Sequence, residues 1–296
     1  MHQASWRHHY IPEFYLRGFT DENNKFSIYL IKDKKFKKDG KLFSPESHFF
    51  LKHDNTIFDF KNLPTDLLEK QYASLDNKIA EVFNKLKNEE GDNCYGITPK
   101  DRVMLQYYVS ILFWRLPKNN EIVQEISKHD MFEFLRLKVT DEDALENIKR
   151  LQFADHVRQH KDYHKILRLW IPQMTFPTMF DNKSQTSIIT FPSNKLPSLC
   201  GDNPLILRHP EKLDLYNDDF ILPLNSNIIF LRTKKMKQPI HSTVKIFIDM
   251  LVLMQSKELI CSTDTNYVAM LKNLFDINIK KLDKLRTHIF DQLCVD

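Results

Sequence analysis

The sequence predicts an α+β fold, with a mixed sheet from N-terminal and late-chain strands, a central helical block and C-terminal helices. Three observations predict it. Apolar residues recur at helical spacing from Leu67 to Leu86 and again from Val103 to Phe113. Short β-rich runs flank that block, at 26–31 before it and at 187–191, 205–208 and 228–232 after it. Pro172, Pro177, Pro192, Pro197, Pro204, Pro210 and Pro223 mark the change of character. The 296 residues read as one domain in four parts: a turn and strands at 1–60, the helical block at 61–180, a strand region at 181–240 and helices at 241–296. The proline-rich join near residue 180 leaves a two-domain division as the alternative.

Pro12 opens a short helical turn that runs to Phe19, a place where its missing N–H costs little. A strand follows at 26–31, then an Asp39-Gly40 turn, then short strand-like pieces at 47–51 and 56–60. Thr65 or Asp66 caps the first long helix. Thr98 caps the second, with Pro99 in its first turn, and Pro117 lies just past its end. Further helices are expected at 119–138, 141–160 and 162–171, and after the strand region at 242–257, 264–275 and 278–293.

Composition sets bounds. The chain is 42% hydrophobic and 12% aromatic with a net charge of +4, which supports a buried core and excludes disorder. Only five glycines occur, and no phosphate-cradling Gly-rich loop, dinucleotide fingerprint, Gly-x-Ser-x-Gly elbow or Asp…Glu-x-Lys nuclease triad is present. Cys94, Cys200, Cys261 and Cys294 lie far apart, as in a protein of a reducing compartment and unlike a zinc knuckle. The opening residues do not read as a secretory leader. The apolar stretch at 246–254, broken by Asp249, is far short of the ~20 residues that span a bilayer. A cytoplasmic protein without membrane contact is therefore expected. Forty-three basic residues against 39 acidic ones make the chain mildly basic. Lysine blocks at 32–38 and 234–237, the latter with Lys234 and Lys235, are candidate phosphate contacts. The plainer reading is a solvated hairpin tip and a loop.

The densest motif is His8-His9-Tyr10-Ile11-Pro12-Glu13-Phe14-Tyr15-Leu16-Arg17-Gly18-Phe19. It resembles the opening of the bacterial family called domain of unknown function 4238, whose pattern runs His-Tyr-(Val/Ile)-Pro-x-Phe-Tyr-Leu-Arg-x-Phe. Leu68-Glu69 with Leu75-Asp76 resembles that family's acidic helix, with Asp76 where Glu is usual. Leu112 to Pro117 resembles its helix ending in Arg-x-Pro. Gly201-Asp202-Asn203-Pro204-Leu205 resembles its Ser-Asp-Asn-Pro-Val segment, with Gly201 replacing the small hydroxyl residue. Leu222-Pro223-Leu224-Asn225 resembles its Pro-Leu-Ser strand, and Asn266 with Ala269 its final helix. The resemblance implies one shared architecture and no assigned chemistry.

The residues themselves suggest the chemistry. His9 titrates near neutrality and suits general acid–base work. Asp202 can orient it, so the two form a candidate acid–base pair, with Asn203 as a further catalytic donor. Arg115 has the planar fork that suits phosphate, and Tyr10, Arg17, Lys234 and Lys235 complete the candidate substrate contacts. In the plainer reading His9 satisfies backbone in a buried turn and Asp202-Asn203 only locks a bend. His156, His160 and His164, four apart, would share one helix face, yet without an accompanying motif they read as solvated. Arg158 with His164, and Arg150 with His156, fit a spacing used by helical ribonucleases, which arises about once by chance in a chain of this composition. The leading expectation is a hydrolase acting on nucleic acid or a nucleotide, as a possible effector of phage defence. The alternative is a non-catalytic binding or inhibitory module in which the same residues lock the fold. A divalent metal and a protein partner stay open.

Overall fold

A computed structural model describes residues 6–58, 63–87, 96–128, 158–175, 185–191, 197, 199–212, 215, 217–237, 240–278 and 282–294. The early chain forms β1 (Arg7–His9), α1 (Glu13–Leu16), β2 (Phe26–Leu30), β3 (Lys35–Phe36), β4 (Leu42–Phe43), β5 (Phe50–Lys52), β6 (Ile57–Phe58) and β7 (Pro64–Thr65). The helical block is α2 (Leu67–Lys87), α3 (Pro99–Arg115), α4 (Asn120–Ser127) and α5 (Tyr163–Thr175). The late chain adds β8 (Gln185–Thr190), β9 (Leu199–Gly201), β10 (Ile206–Leu207), β11 (Phe220–Pro223), β12 (Ile228–Thr233), α6 (Thr243–Gln255), β13 (Leu259–Ser262), α7 (Thr265–Asn278) and α8 (Leu282–Leu293). The helix expected at 141–160 lies largely outside the described residues, as does the far end of that expected at 119–138.

The sheet joining both ends of the chain has the order β3-β2-β13-β9, with β4 also on β2. Ile28 pairs with Cys261, and Cys261 with Cys200. A second sheet has the order β10-β11-β12-β8, and β1–β5 and β6–β7 form two-stranded ribbons. All pairings among the described strands are antiparallel, so the expected mixed sheet is corrected in strand direction. A short turn at 224–227 links β11 to β12, and such a hairpin connection dictates antiparallel neighbours.

Two apolar clusters lie on opposite faces of these strands. Phe220, Leu222, Ile228, Phe230 and Cys261 face the helical block. Their neighbours Ile221, Ile229, Leu231 and Ile260 face α6, α7 and α8. Side chains alternate along a strand, so a strand buried on both faces must be apolar at every position. That explains the unbroken apolar runs that marked these strands in the sequence.

The opening motif is mostly packing. Pro12 leads into α1, and a turn at Arg17–Phe19 ends it. Phe14 and Tyr15 lie edge-on to Phe83 of α2 at 5.1 and 5.8 Å, and tilted to Tyr108 of α3 at 5.5 and 5.8 Å. The Tyr15 hydroxyl donates to the Pro223 carbonyl of β11 at 2.5 Å, tying the motif to the late chain. Thr98 caps α3 as expected, in a reciprocal box with Asp101. Replacing Tyr15 by Phe removes one buried donor while keeping the ring. We expect a loss of about 1–2 kcal/mol in urea unfolding, with an unchanged far-ultraviolet spectrum.

Candidate functional site

The bend at Gly201–Pro204 leaves β9 and meets the turn between α6 and β13. Asp202 Oδ1 accepts the backbone N–H of Lys257 at 3.0 Å, and Oδ2 accepts those of Glu258 and Leu259 at 2.6 and 3.1 Å. Burial raises this carboxyl above its ordinary range, against the pull of the three N–H groups. Asn203 Nδ2 donates to the Gln255 carbonyl at 3.2 Å, while Gln255 Nε2 donates back to the carbonyls of Asn203 and Leu205 at 2.6 and 3.1 Å. Gly201 permits the approach: a Cβ there would lie 2.0 Å from Ser256 Oγ and 2.8 Å from Ile260 Cδ1.

His8 and His9 point to opposite sides of β1 and meet different fates. His8 is buried, and its Nδ1 accepts the Asn55 backbone N–H at 2.7 Å. His9 keeps 13% side-chain exposure, and its Nδ1 lies 3.7 Å from Glu13 Oε1. Its Nε2 is buried without a hydrogen-bond partner. The imidazole is held below its ordinary pKa, first by burial and then by the Arg115 guanidinium, while the Pro45 carbonyl, Glu69 and Asp76 act the other way. Arg115, the last residue of α3, donates through one terminal nitrogen to both Asp76 oxygens at 3.0 and 2.9 Å. Its guanidinium also lies over the Tyr72 ring at 4.4 Å. Burial raises the Asp76 carboxyl, and Arg115 draws it back. The Arg115 Nε and the Tyr72 and Tyr108 hydroxyls are buried without partners. Glu69 accepts Asn55 Nδ2 at 2.8 Å.

A cavity of about 590 Å³ opens beside the bend, with Tyr10, Phe50, Lys118, Asp202, Asn203 and Lys257 among its walls. Among the described residues neither Lys118 nor Lys257 has an ion-pair partner. Asp202 is spent on backbone and Glu258 on Lys32 at 2.6 Å, while Glu121 has no ion-pair partner among the described residues. Lys118 meets solvent through the cavity yet is enclosed by protein. That enclosure first, then Arg286 and Lys257, pushes its pKa down to about 8, with Asp202 opposing. The wall thus sets Lys118 and Lys257 beside the carboxylates of Glu121, Asp202 and Glu258.

The His9–Arg115–Asp76 cluster and the Asp202 bend thus gather side chains from four separated motifs of one resemblance. A family model described as protein of unknown function (DUF4238) matches residues 7–289, nearly the whole chain. The chain belongs to that family. No curated protein and no solved structure matches it significantly.

In this DUF4238 protein the expected His9–Asp202 pair is not made. The two side chains share no hydrogen bond or ion pair. The reason is that the α6–β13 turn presents three N–H groups that consume the carboxylate. Asn203 is held by Gln255, with its Oδ1 buried and unpartnered. Arg115 is not an open phosphate fork, because Asp76 occupies it. Arg17 is exposed and pairs with Glu13 at 3.4 Å, and Lys234 and Lys235 are exposed after β12. Tyr10 is buried in the cavity wall, and its phenol is raised by burial and by Asp202. His160 spends both ring nitrogens on backbone, at the Phe58 carbonyl and the Asp162 N–H. His156 and Arg150 lie outside the described residues. Among the described residues no three His, Cys, Asp or Glu side chains are grouped to hold a metal, and no helix is long and apolar enough to cross a membrane. Glu13, Asp76, Lys118 and Lys257 are site residues that composition and spacing alone did not mark. The acidic-helix motif had flagged Asp76 without giving it a role.

Two outcomes check this geometry. Gly201→Ala forces Ser256 aside and should cost about 1–3 kcal/mol, and adding Ser256→Ala should recover much of the loss in urea unfolding. Lys118 carries far more free amine at pH 8 than an ordinary lysine. Acetic anhydride at that pH should therefore modify it about tenfold faster than Lys234, as read by peptide mass spectrometry.

Proposed function

We propose that this protein is a hydrolase acting on a phosphoester of nucleic acid or a nucleotide, with His9 as its general base. One observation carries the reading. A neutral imidazole has a carboxylate 3.7 Å from Nδ1 and a buried Nε2 with no hydrogen-bond partner, so that a substrate which opens the site meets a ring able to take and return a proton. The unpaired lysines of the adjoining cavity wall supply the attraction for phosphate. In the step proposed, Nε2 takes a proton from water as the water oxygen bonds to phosphorus. The bond from phosphorus to the leaving oxygen then breaks, and the imidazolium returns the proton to that oxygen.

A binding module is the second reading, favoured by the Asp202 lock and the closed Arg115–Asp76 pair, which serve the fold as they stand. Assays with bis-p-nitrophenyl phosphate and a fluorescent single-stranded 12-mer, each with magnesium or with EDTA, separate the two. His9→Asn should lower the rate by about 100-fold or more with little change in melting temperature. The acid limb of the wild-type rate should lie below pH 6.5, because a depressed pKa keeps the ring neutral there. A rate unaffected by His9→Asn, or hydrolysis of neither probe, sinks the catalytic reading.

A further inference from the structure

We propose that the β1–β5 ribbon is a track for single-stranded nucleic acid, with Trp6 and Phe50 offering rings to bases and Arg7 and Lys52 meeting phosphates. The inference deepens the hydrolase reading by naming a substrate class, and it stands on separate residues. Trp6 is 40% exposed, unusual for so large an apolar side chain. The Arg7 guanidinium lies 4.6 Å from its ring centre and 5.2 Å from that of Phe50, and the Lys52 ammonium lies 5.2 Å from the indole. Trp6 and Phe50 meet edge to face at 6.1 Å. Residues 6–9 and 50–53 contain no Asp or Glu.

The register gives the track a direction. Arg7 pairs with Lys52, and His9 with Phe50. Directly opposed residues and those two apart share a face, so Arg7, Lys52, Phe50 and His9 stand on one side of the ribbon. His9 lies two residues beyond Arg7, about 7 Å along the strand. Phe50 and Leu51 also line the cavity that holds Lys118 and Lys257. A strand laid on the cations therefore leads to the imidazole at one end and to the unpaired ammonium groups beside it. A base stacking on the indole displaces Lys52, whose long stem carries the charge onto the phosphate. Rings interleaved with cations suit unpaired bases, because a duplex hides its base faces.

Fluorescence anisotropy with a labelled single-stranded 12-mer, at 50 and 200 mM salt in EDTA, tests the track. Trp6→Ala should weaken binding about tenfold. Arg7→Gln with Lys52→Gln should weaken it further at low salt and flatten the log–log salt slope by about 1.4, two phosphate contacts on a single strand. All three side chains are exposed, so melting temperatures should hold. Equal binding by both variants and wild type overturns the proposal. So does equal affinity for the duplex of the same sequence, or displacement by polyglutamate as readily as by unlabelled strand, which would indicate an acidic protein segment. Strand binding without cleavage of either phosphoester probe overturns the hydrolytic reading and leaves the track. Cleavage of bis-p-nitrophenyl phosphate without strand binding overturns the track alone.

Discussion

Three backbone N–H groups end on the Asp202 carboxylate, and much of the molecule depends on that convergence. The turn it holds delivers β13, which pairs with β2 on one side and β9 on the other. Without a fixed turn the strand from the C-terminal part has no defined register against the strand from the N-terminal part. A shift of one residue would exchange Ile260 for Cys261 between the two apolar clusters. Charge-assisted hydrogen bonds to a buried carboxylate are among the stronger polar interactions, roughly 1.5–3 kcal/mol each. Here they act at the junction that closes the fold. The same turn sets Lys257 into the cavity wall, so the lock also shapes the site.

The Arg115–Asp76 pair is harder to explain by stability. Desolvating two charges costs several kcal/mol, and an apolar pair of similar volume often serves a fold as well. Losing one partner is another matter, costing about 3–5 kcal/mol because the survivor stays buried and unpaired. The pair is therefore costly to break without being strongly stabilising. Its two members act on His9 in opposite senses: the Arg115 guanidinium helps to keep the ring neutral, and Asp76 opposes it. The buried Lys245–Asp249 pair differs. There Tyr267 also donates to the carboxylate, at 2.7 Å, inside the second apolar cluster and away from the cavity walls. Two buried ion pairs thus separate by surroundings, one sealed in packing and one close enough to act on the His9 imidazole.

Local patterning made the long elements legible. Thr98-Pro99 marked the start of α3, and the period of Leu67 to Leu86 marked α2, because capping and amphipathic spacing are properties of neighbouring residues. The antiparallel junction of β2, β13 and β9 was not legible. Leu259–Ser262 and Leu199–Gly201 are too short to show a period, and what makes them strands is the pairing of β13 with β9 and with β2 across the Asp202 clamp. The site divides the same way. His9, Tyr10, Asp202, Asn203 and Arg115 were marked by residue type and motif. Their partners were not, since only the folded chain brings Asp76 to Arg115 or three N–H groups to Asp202. Lys118 and Lys257 carried no signal at all, because an unpaired lysine is distinguished by which carboxylates fail to reach it. The aromatic density of the opening motif is packing: Tyr15 and Phe19 are fully buried and Phe14 packs among them, while Trp6, just outside the motif, is exposed.

Phe50 is where the separate features meet. It opposes His9 in the ribbon, lies 5.6 Å from the imidazole centre, takes the Arg7 guanidinium on its ring and lines the cavity. A single side chain therefore borders the imidazole, the basic ribbon and the cavity that holds Lys118 and Lys257. Among the described strands β5 pairs with β1 alone, and its Leu51 and Lys52 are exposed. The His9 imidazole, 13% exposed, thus sits on a ribbon separate from the larger sheets, and what can reach it is set by that topology as much as by any one side chain.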